Sequence, residues 1–165
     1  MNEELLNNWI KDHQKLLDLL YDIMVDIKEG RIEQAWTLME EFSAEAGPLL
    51  RFEEDVLFPH LKPIIGEKNV DLLLQDHDEI IRTFEKLYLV LNKNQYSKEE
   101  IEIALDMAKY TLLKIALHEG LQLFFNMLSD SAQREMIEER DKLYKDGIDL
   151  HKWIEQIRER KVLIS

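Results

Sequence analysis

Two stretches of this chain place a glutamate where helical periodicity demands an apolar residue. Residues 49–59 read LLRFEEDVLFP and residues 115–125 read IALHEGLQLFF. In the first, Leu49, Glu53, Val56, Leu57 and His60 fall on one stripe of an amphipathic helix. In the second, Glu119 shares a stripe with Leu112, Ile115 and Leu123. A carboxylate in an apolar stripe is costly unless it is paired or coordinates a cation. Two of them in matching contexts point to a site.

The surroundings repeat as well. Lys11-Asp12-His13-Gln14-Lys15-Leu16-Leu17 resembles Gln75-Asp76-His77-Asp78-Glu79-Ile80-Ile81, and Glu53-Glu54 with Leu57-Phe58 resembles Glu119-Gly120 with Leu123-Phe124. The unit is a helix carrying Asp-His followed by a helix with an inward Glu, present twice. Such a repeat predicts a helical bundle with pseudo-two-fold symmetry.

Along the chain, residues 3–28 form a first helix with Leu6, Trp9, Ile10, His13, Leu16, Leu17, Leu20, Met24 and Ile27 on its apolar face, ended by Gly30. A second helix starts just after Gly30, is kinked by Gly47-Pro48 one turn before Glu53, and is closed by Pro59, Pro63 and Gly66. A third spans residues 70–91 and leads into a turn at Asn92-Lys93-Asn94. Ser97-Lys98-Glu99-Glu100 matches a capping box and starts a fourth helix reaching Leu128. Four long helices with short connections read as an all-α, up-down-up-down four-helix bundle over residues 1–128. Residues 129–165 are a C-terminal helical appendage. Asp130 or Ser131 caps its first helix, Gly147 breaks it, and Leu150, Trp153, Ile154 and Ile157 give the last helix a face that must cover the bundle or meet a second copy in a homodimer.

A chain of 165 residues is long enough for one domain with a proper core, and 45% hydrophobic and 33% charged residues with 5 Gly and 3 Pro fit a helical protein. A net charge of −13 argues against nucleic acid and anionic membrane as partners. It suits a protein that holds cations, although a solvated acidic surface is its commoner cause. Without cysteine there are no disulfides, thiolate ligands or cysteine nucleophiles. The N-terminus has no signal-peptide pattern and no apolar run reaches membrane-spanning length, so a soluble cytoplasmic protein is expected. No glycine-rich phosphate loop, nucleophile elbow or Ser-His-Asp constellation is visible.

The order His13, Glu53-x-x-x-Leu57-Phe58-Pro59, Asp76-His77, Glu119-x-x-x-Leu123-Phe124 resembles the hemerythrin-like, or HHE cation-binding, family across residues 3–128. The resemblance implies a bundle that holds iron, with His13, Glu53, His77 and Glu119 as metal ligands, one from each helix. It also exposes departures. Leu49 and Ile115 stand four residues before the two glutamates, where the family carries histidines, and Leu73 stands where hemerythrins proper carry another. The loss of these imidazoles weakens a di-iron site and disfavours reversible oxygen carriage.

Two imidazoles and two carboxylates form a mixed N/O set for one Fe(II), Mn(II), Zn(II) or Co(II), or for two ions through bridging carboxylates. Such a protein handles or senses iron, oxygen or nitric oxide, with the metal ion and a small diatomic ligand as partners. Without metal, protonated His13 and His77 pair with Glu53 and Glu119 as buried ion pairs, and the chain is a structural or interaction bundle. An oxygen- or peroxide-activating enzyme is the weaker third reading. Among the remaining histidines, His118 is placed on the solvated face with Thr111 and Lys114, entering the site only if the fourth helix rotates. His60 sits at a helix end and His151 is exposed in the appendage. Trp9, one turn before His13, either lines the site or is ordinary core.

Overall fold

A computed structural model describes residues 2–93 and 95–161, and every regular element among them is helical. Helix α1 (Glu3–Lys28) starts at Asn2, whose side chain accepts the Glu4 and Leu5 amides. Its buried face is Leu5, Trp9, His13, Leu16, Leu19, Leu20, Ile23 and Ile27. Gly30, at φ 79°, turns the chain into α2 (Ile32–Phe52).

The second long helix runs on through Gly47-Pro48, with Pro48 inside it. It stays α-helical through Phe52 and widens into a π-helical turn over Glu53–Leu57, closed by the Phe58 amide on the Glu53 carbonyl. It then continues as α3 (Phe58–Ile65), with Pro59 and Pro63 inside it rather than closing it. Gly66, at φ 88°, supplies the stop. Gly47 has a different use: a Cβ there would lie 2.3 Å from the Ile148 carbonyl oxygen and 2.7 Å from the Leu150 nitrogen. Only a glycine lets the C-terminal backbone lie directly on α2.

Helix α4 (Glu67–Leu91) buries Val70, His77, Ile80, Ile81, Phe84, Leu87 and Leu91. Asn94, part of the expected turn, lies outside the described residues. Helix α5 (Lys98–Glu119) begins with the expected capping box, both reciprocal bonds between Ser97 and Glu100 being present. It tightens into a 3-10 helix over Gly120–Met127. Helix α1 packs against α2 and α5, and α4 against α5, α2 and α3.

Helix α6 (Asp130–Asp146) is capped by Ser129, whose hydroxyl accepts the Ala132 amide, rather than by Asp130 or Ser131. It ends at Gly147 in the left-handed region, φ 60°. A single turn, α7 (Leu150–Lys152), passes into a second π-helical turn at Trp153–Ile157. Met136, Ile137, Leu150 and Trp153 join the same core as the long helices, and Arg140 grips Asp12 of α1 with two bonds of 2.7 and 2.9 Å. No described helix is long and apolar enough to cross a membrane.

Candidate metal centre

Glu53 is 1% exposed, and its partners come from two other helices. Its Oε1 accepts from His118 Nδ1 at 3.1 Å, and its Oε2 lies 3.6 Å from His77 Nε2. The three residues offer donor atoms that all lie within 4.8 Å of one another. An ion bonded at about 2.0–2.2 Å holds its donors within about 4.4 Å of each other, so small side-chain adjustments suffice. The two imidazoles stack at 5.2 Å, and Phe58 covers them at 5.2 Å from His77 and 6.4 Å from His118.

Two consecutive glutamates serve one histidine. Glu53 and Glu54 both lie in the π-helical turn, and such turns are frequent at functional sites. Glu53 faces His77 Nε2, while Glu54 Oε2 accepts from His77 Nδ1 at 2.7 Å. Arg158 holds Glu54 in turn, with Nη2 2.8 Å from Oε2. His118 has the same construction. Its Nε2 lies 3.1 Å from Asp76 Oδ2, and Lys114 holds Asp76 at 2.8 Å. Each imidazole thus has one nitrogen turned to Glu53 and the other on an outer carboxylate that a cation neutralises, the arrangement by which proteins orient metal-binding histidines.

His13 is fully buried, and its Nδ1 donates to the Trp9 carbonyl at 2.8 Å. Trp9 packs tilted against it at 4.0 Å and donates its indole N–H to the Glu119 carbonyl at 2.8 Å, which fixes α1 against the end of α5. His13 lines a crevice with Glu53, His118, Leu49, Ile115, Leu16, Leu50 and Ile80, too tight to admit water. Among the described residues, His13 Nε2 and His77 Nε2 have no hydrogen-bond partner, and the same is true of His151 Nε2 outside the centre. Buried imidazole nitrogens without a partner are costly in a dry core. Coordination is one way to satisfy them, so this donor set fits a divalent metal.

Of the four residues singled out in the sequence, only Glu53 and His77 enter the donor cluster; His13 is buried in the adjoining crevice but is not among its donors. Glu119 is partly exposed and is not in the donor cluster; it contributes its backbone carbonyl to Trp9. Its neighbour His118, expected on the solvated face, is 3% exposed and points inward. The buried stripe of α5 is Ala104, Ala108, Thr111, Ile115 and His118, whereas Leu123, expected to be inward, is 78% exposed. His60 lies inside α3, its Nδ1 on the Val56 carbonyl at 2.7 Å, and not at a helix end. His151 is partly buried rather than exposed, packed on Tyr88 and Phe84 and paired with Glu85 at 3.2 Å.

Burial alone would push the Glu53 carboxyl up, but His118 and His77 outweigh it and hold it well below the usual range. Burial likewise opposes a charge on His77, yet Glu53 and Glu54 push its pKa up to about 9. Glu54 is lowered, with His77 and Arg158 overcoming its burial. Asp76 is lowered because Lys114 and His118 overcome its burial. The centre is therefore a set of ionised carboxylates that attract either protons on imidazole or a cation.

Compared with family models, curated proteins and solved structures, the chain matches none.

Proposed function

We propose that this chain is a metal-binding protein of the hemerythrin-like kind. Its four long helical segments would form an up-down-up-down bundle around one divalent ion, iron or a similar metal, held by Glu53, His77 and His118 with His13 beside them. One observation carries the reading: three buried imidazoles have their outer nitrogens tied to protein acceptors, and two of their inner nitrogens are unpartnered. His118 supplies a nitrogen that Leu49 and Ile115 do not, so the set becomes richer in imidazole than His13, Glu53, His77 and Glu119 alone. Nitrogen-rich sets with one carboxylate suit Fe(II), Mn(II) and Zn(II).

Such an ion supplies Lewis acidity and open positions for a small ligand. The chain's own residues do the rest. Glu54 and Asp76 fix the tautomers and ring orientations of His77 and His118, Trp9 orients His13, and Phe58 with the aliphatic lining keeps water out. Handling or sensing of iron, oxygen or nitric oxide is the corresponding cellular role.

A second reading has its own support. Glu53 already accepts a hydrogen bond from His118 and sits at ion-pair distance from His77, so a metal-free core held by histidine–carboxylate pairs is chemically self-consistent. Titration of chelator-stripped protein with Fe(II), Mn(II) and Zn(II), followed by thermal melting, separates the two. Metal binding predicts one ion per chain, a rise in melting temperature and loss of both in Glu53→Gln. Melting curves indifferent to chelator and to all three metals would leave the ion-pair core.

A further inference from the structure

Arg158 is 3% exposed although it lies in the last turn of the described chain. It ends the second π-helical turn, its amide donating to the Trp153 carbonyl at 2.7 Å and its own backbone being extended, at φ −60° and ψ 122°. That change of direction turns the guanidinium inward. Its Nε lies 3.0 and 3.2 Å from the two oxygens of Glu54, and its Nη2 lies 2.8 Å from Glu54 Oε2 and 2.9 Å from Asp78 Oδ1. The Glu54 oxygen that receives Nη2 also receives His77 Nδ1. An unbroken chain of hydrogen bonds therefore runs from the C-terminal segment to a donor of the candidate centre.

The two imidazole arms differ in one respect. The cation behind His118, Lys114, lies one turn before it on the same helix, so that arm is complete within α4 and α5. The cation behind His77 arrives from a segment 104 residues away from Glu54. That segment is seated by backbone contact at Gly47, by buried Leu150 and Trp153, and by the His151–Glu85 pair. Outside it lies a cleft lined in part by Glu54, Trp153, Arg158 and Arg160, so lifting the segment would open Glu54 to solvent and leave His77 without its fixed outer partner.

We infer that Arg158 is a positioning residue for the centre, and that residues 150–161 form a strap whose closure and metal binding reinforce each other. Resting on the metal-centre reading, this coupling makes the His77 arm the route by which the ion is retained or released. Outer-shell partners of this kind typically change metal affinity by about 10–100-fold. Linkage requires reciprocity: if the closed strap tightens the metal, the metal tightens the strap.

The test uses the full chain with Zn(II) as probe. Affinity and release into excess chelator are measured for the parent, Arg158→Lys and Arg158→Gln, with amide hydrogen exchange of residues 150–161 recorded with and without Zn(II). Expected are slower exchange of the strap in the Zn(II)-loaded parent, an affinity about 10–100-fold lower in Arg158→Gln, and an intermediate value for Arg158→Lys, which keeps the charge but loses the fork. Parent-like affinity and release in Arg158→Gln would overturn the positioning role while leaving the metal centre standing. So would strap exchange in the parent that ignores Zn(II), a comparison that needs no variant to fold. A parent that binds no Zn(II) would remove the centre and the coupling together.

Discussion

His118 Nδ1 donates to Glu53 Oε1 at 3.1 Å across 65 residues of chain, both side chains being almost fully buried. That contact places a histidine from α5 at the one carboxylate that also faces His77, and it makes His118, rather than Glu119, the α5 residue in the cluster. Replacing the two in turn separates their contributions. His118→Gln is expected to abolish tight metal binding and to destabilise the fold. Glu119→Gln, at a partly exposed side chain, should change stability by no more than about 0.5 kcal/mol and leave metal binding intact. Isothermal titration with Zn(II) beside urea denaturation checks this, and the reverse ranking would restore Glu119 as the ligand.

Glu53 is the hub of the centre, so Glu53→Gln has the largest expected effect. The variant leaves His77 facing an uncharged amide in a dry core. In the metal-free protein this should cost roughly 3–5 kcal/mol, as for other broken buried pairs. A loss below about 1 kcal/mol in chemical denaturation would mean that the Glu53 carboxylate is not balanced by its neighbours.

How far the sequence exposed this arrangement depends on which residue carried the signal. The Asp-His repeat and the inward Glu53 were legible because a charge in an apolar stripe has few explanations, and the boundaries of α1 and the capping box of α5 followed from local chemistry. The face of α5 was misread for a physical reason. Ile115 is buried as read, but the rest of the buried stripe before His118 is small, Ala104, Ala108 and Thr111, whereas Leu123, read as inward, is 78% exposed. Thr111 and Lys114 mark the His118 stripe as solvated in the sequence, yet Thr111 is buried, its hydroxyl satisfied by the Met107 carbonyl, and it brings His118 inward with it. The small residues recurring at alternating steps of four and three toward His118 were the available clue. Arg158 gave no local signal at all, since its partners Glu54 and Asp78 are defined only by tertiary packing.

Leu49 and Ile115 line the crevice beside His13, Glu53 and His118. Installing histidine at both (Leu49→His with Ile115→His) should add two nitrogen donors and raise metal content from one ion towards two per chain. Buried without metal, the new imidazoles are destabilising, so the double variant should depend on metal for stability more than the parent does. Elemental analysis gives the stoichiometry, and a folded variant that binds no more metal than the parent would show that these positions do not face the centre.

The metal-free protein should lose stability as pH rises through the range in which His77 titrates. In the unfolded chain His77 loses its proton near 6.5, and in the folded chain near 9. Its contribution is thus complete below about pH 6.5, declines as pH rises toward the upper value and is absent above it. Metal affinity should rise over the same interval, because the bound ion displaces that proton. Urea midpoints of chelator-treated protein at pH 6, 7.5 and 9 test the first trend, and a flat profile would contradict it.

Gly47→Ala should loosen the C-terminal segment. The added methyl meets the backbone of Ile148 and Leu150 well inside contact distance, and overpacking of this kind costs about 1–3 kcal/mol, partly offset by the better helix propensity of alanine. Melting temperature is expected to fall; an unchanged or raised value would mean that the segment does not lie on α2.

The most direct test of the metal centre is anomalous scattering from crystals grown with Zn(II) or Fe(II). A single strong peak is expected between Glu53, His77 and His118, about 2.0–2.2 Å from Glu53 oxygen, His77 Nε2 and His118 Nδ1, and absent from Glu53→Gln crystals. A core without anomalous density, with ions only on the acidic surface, would contradict it.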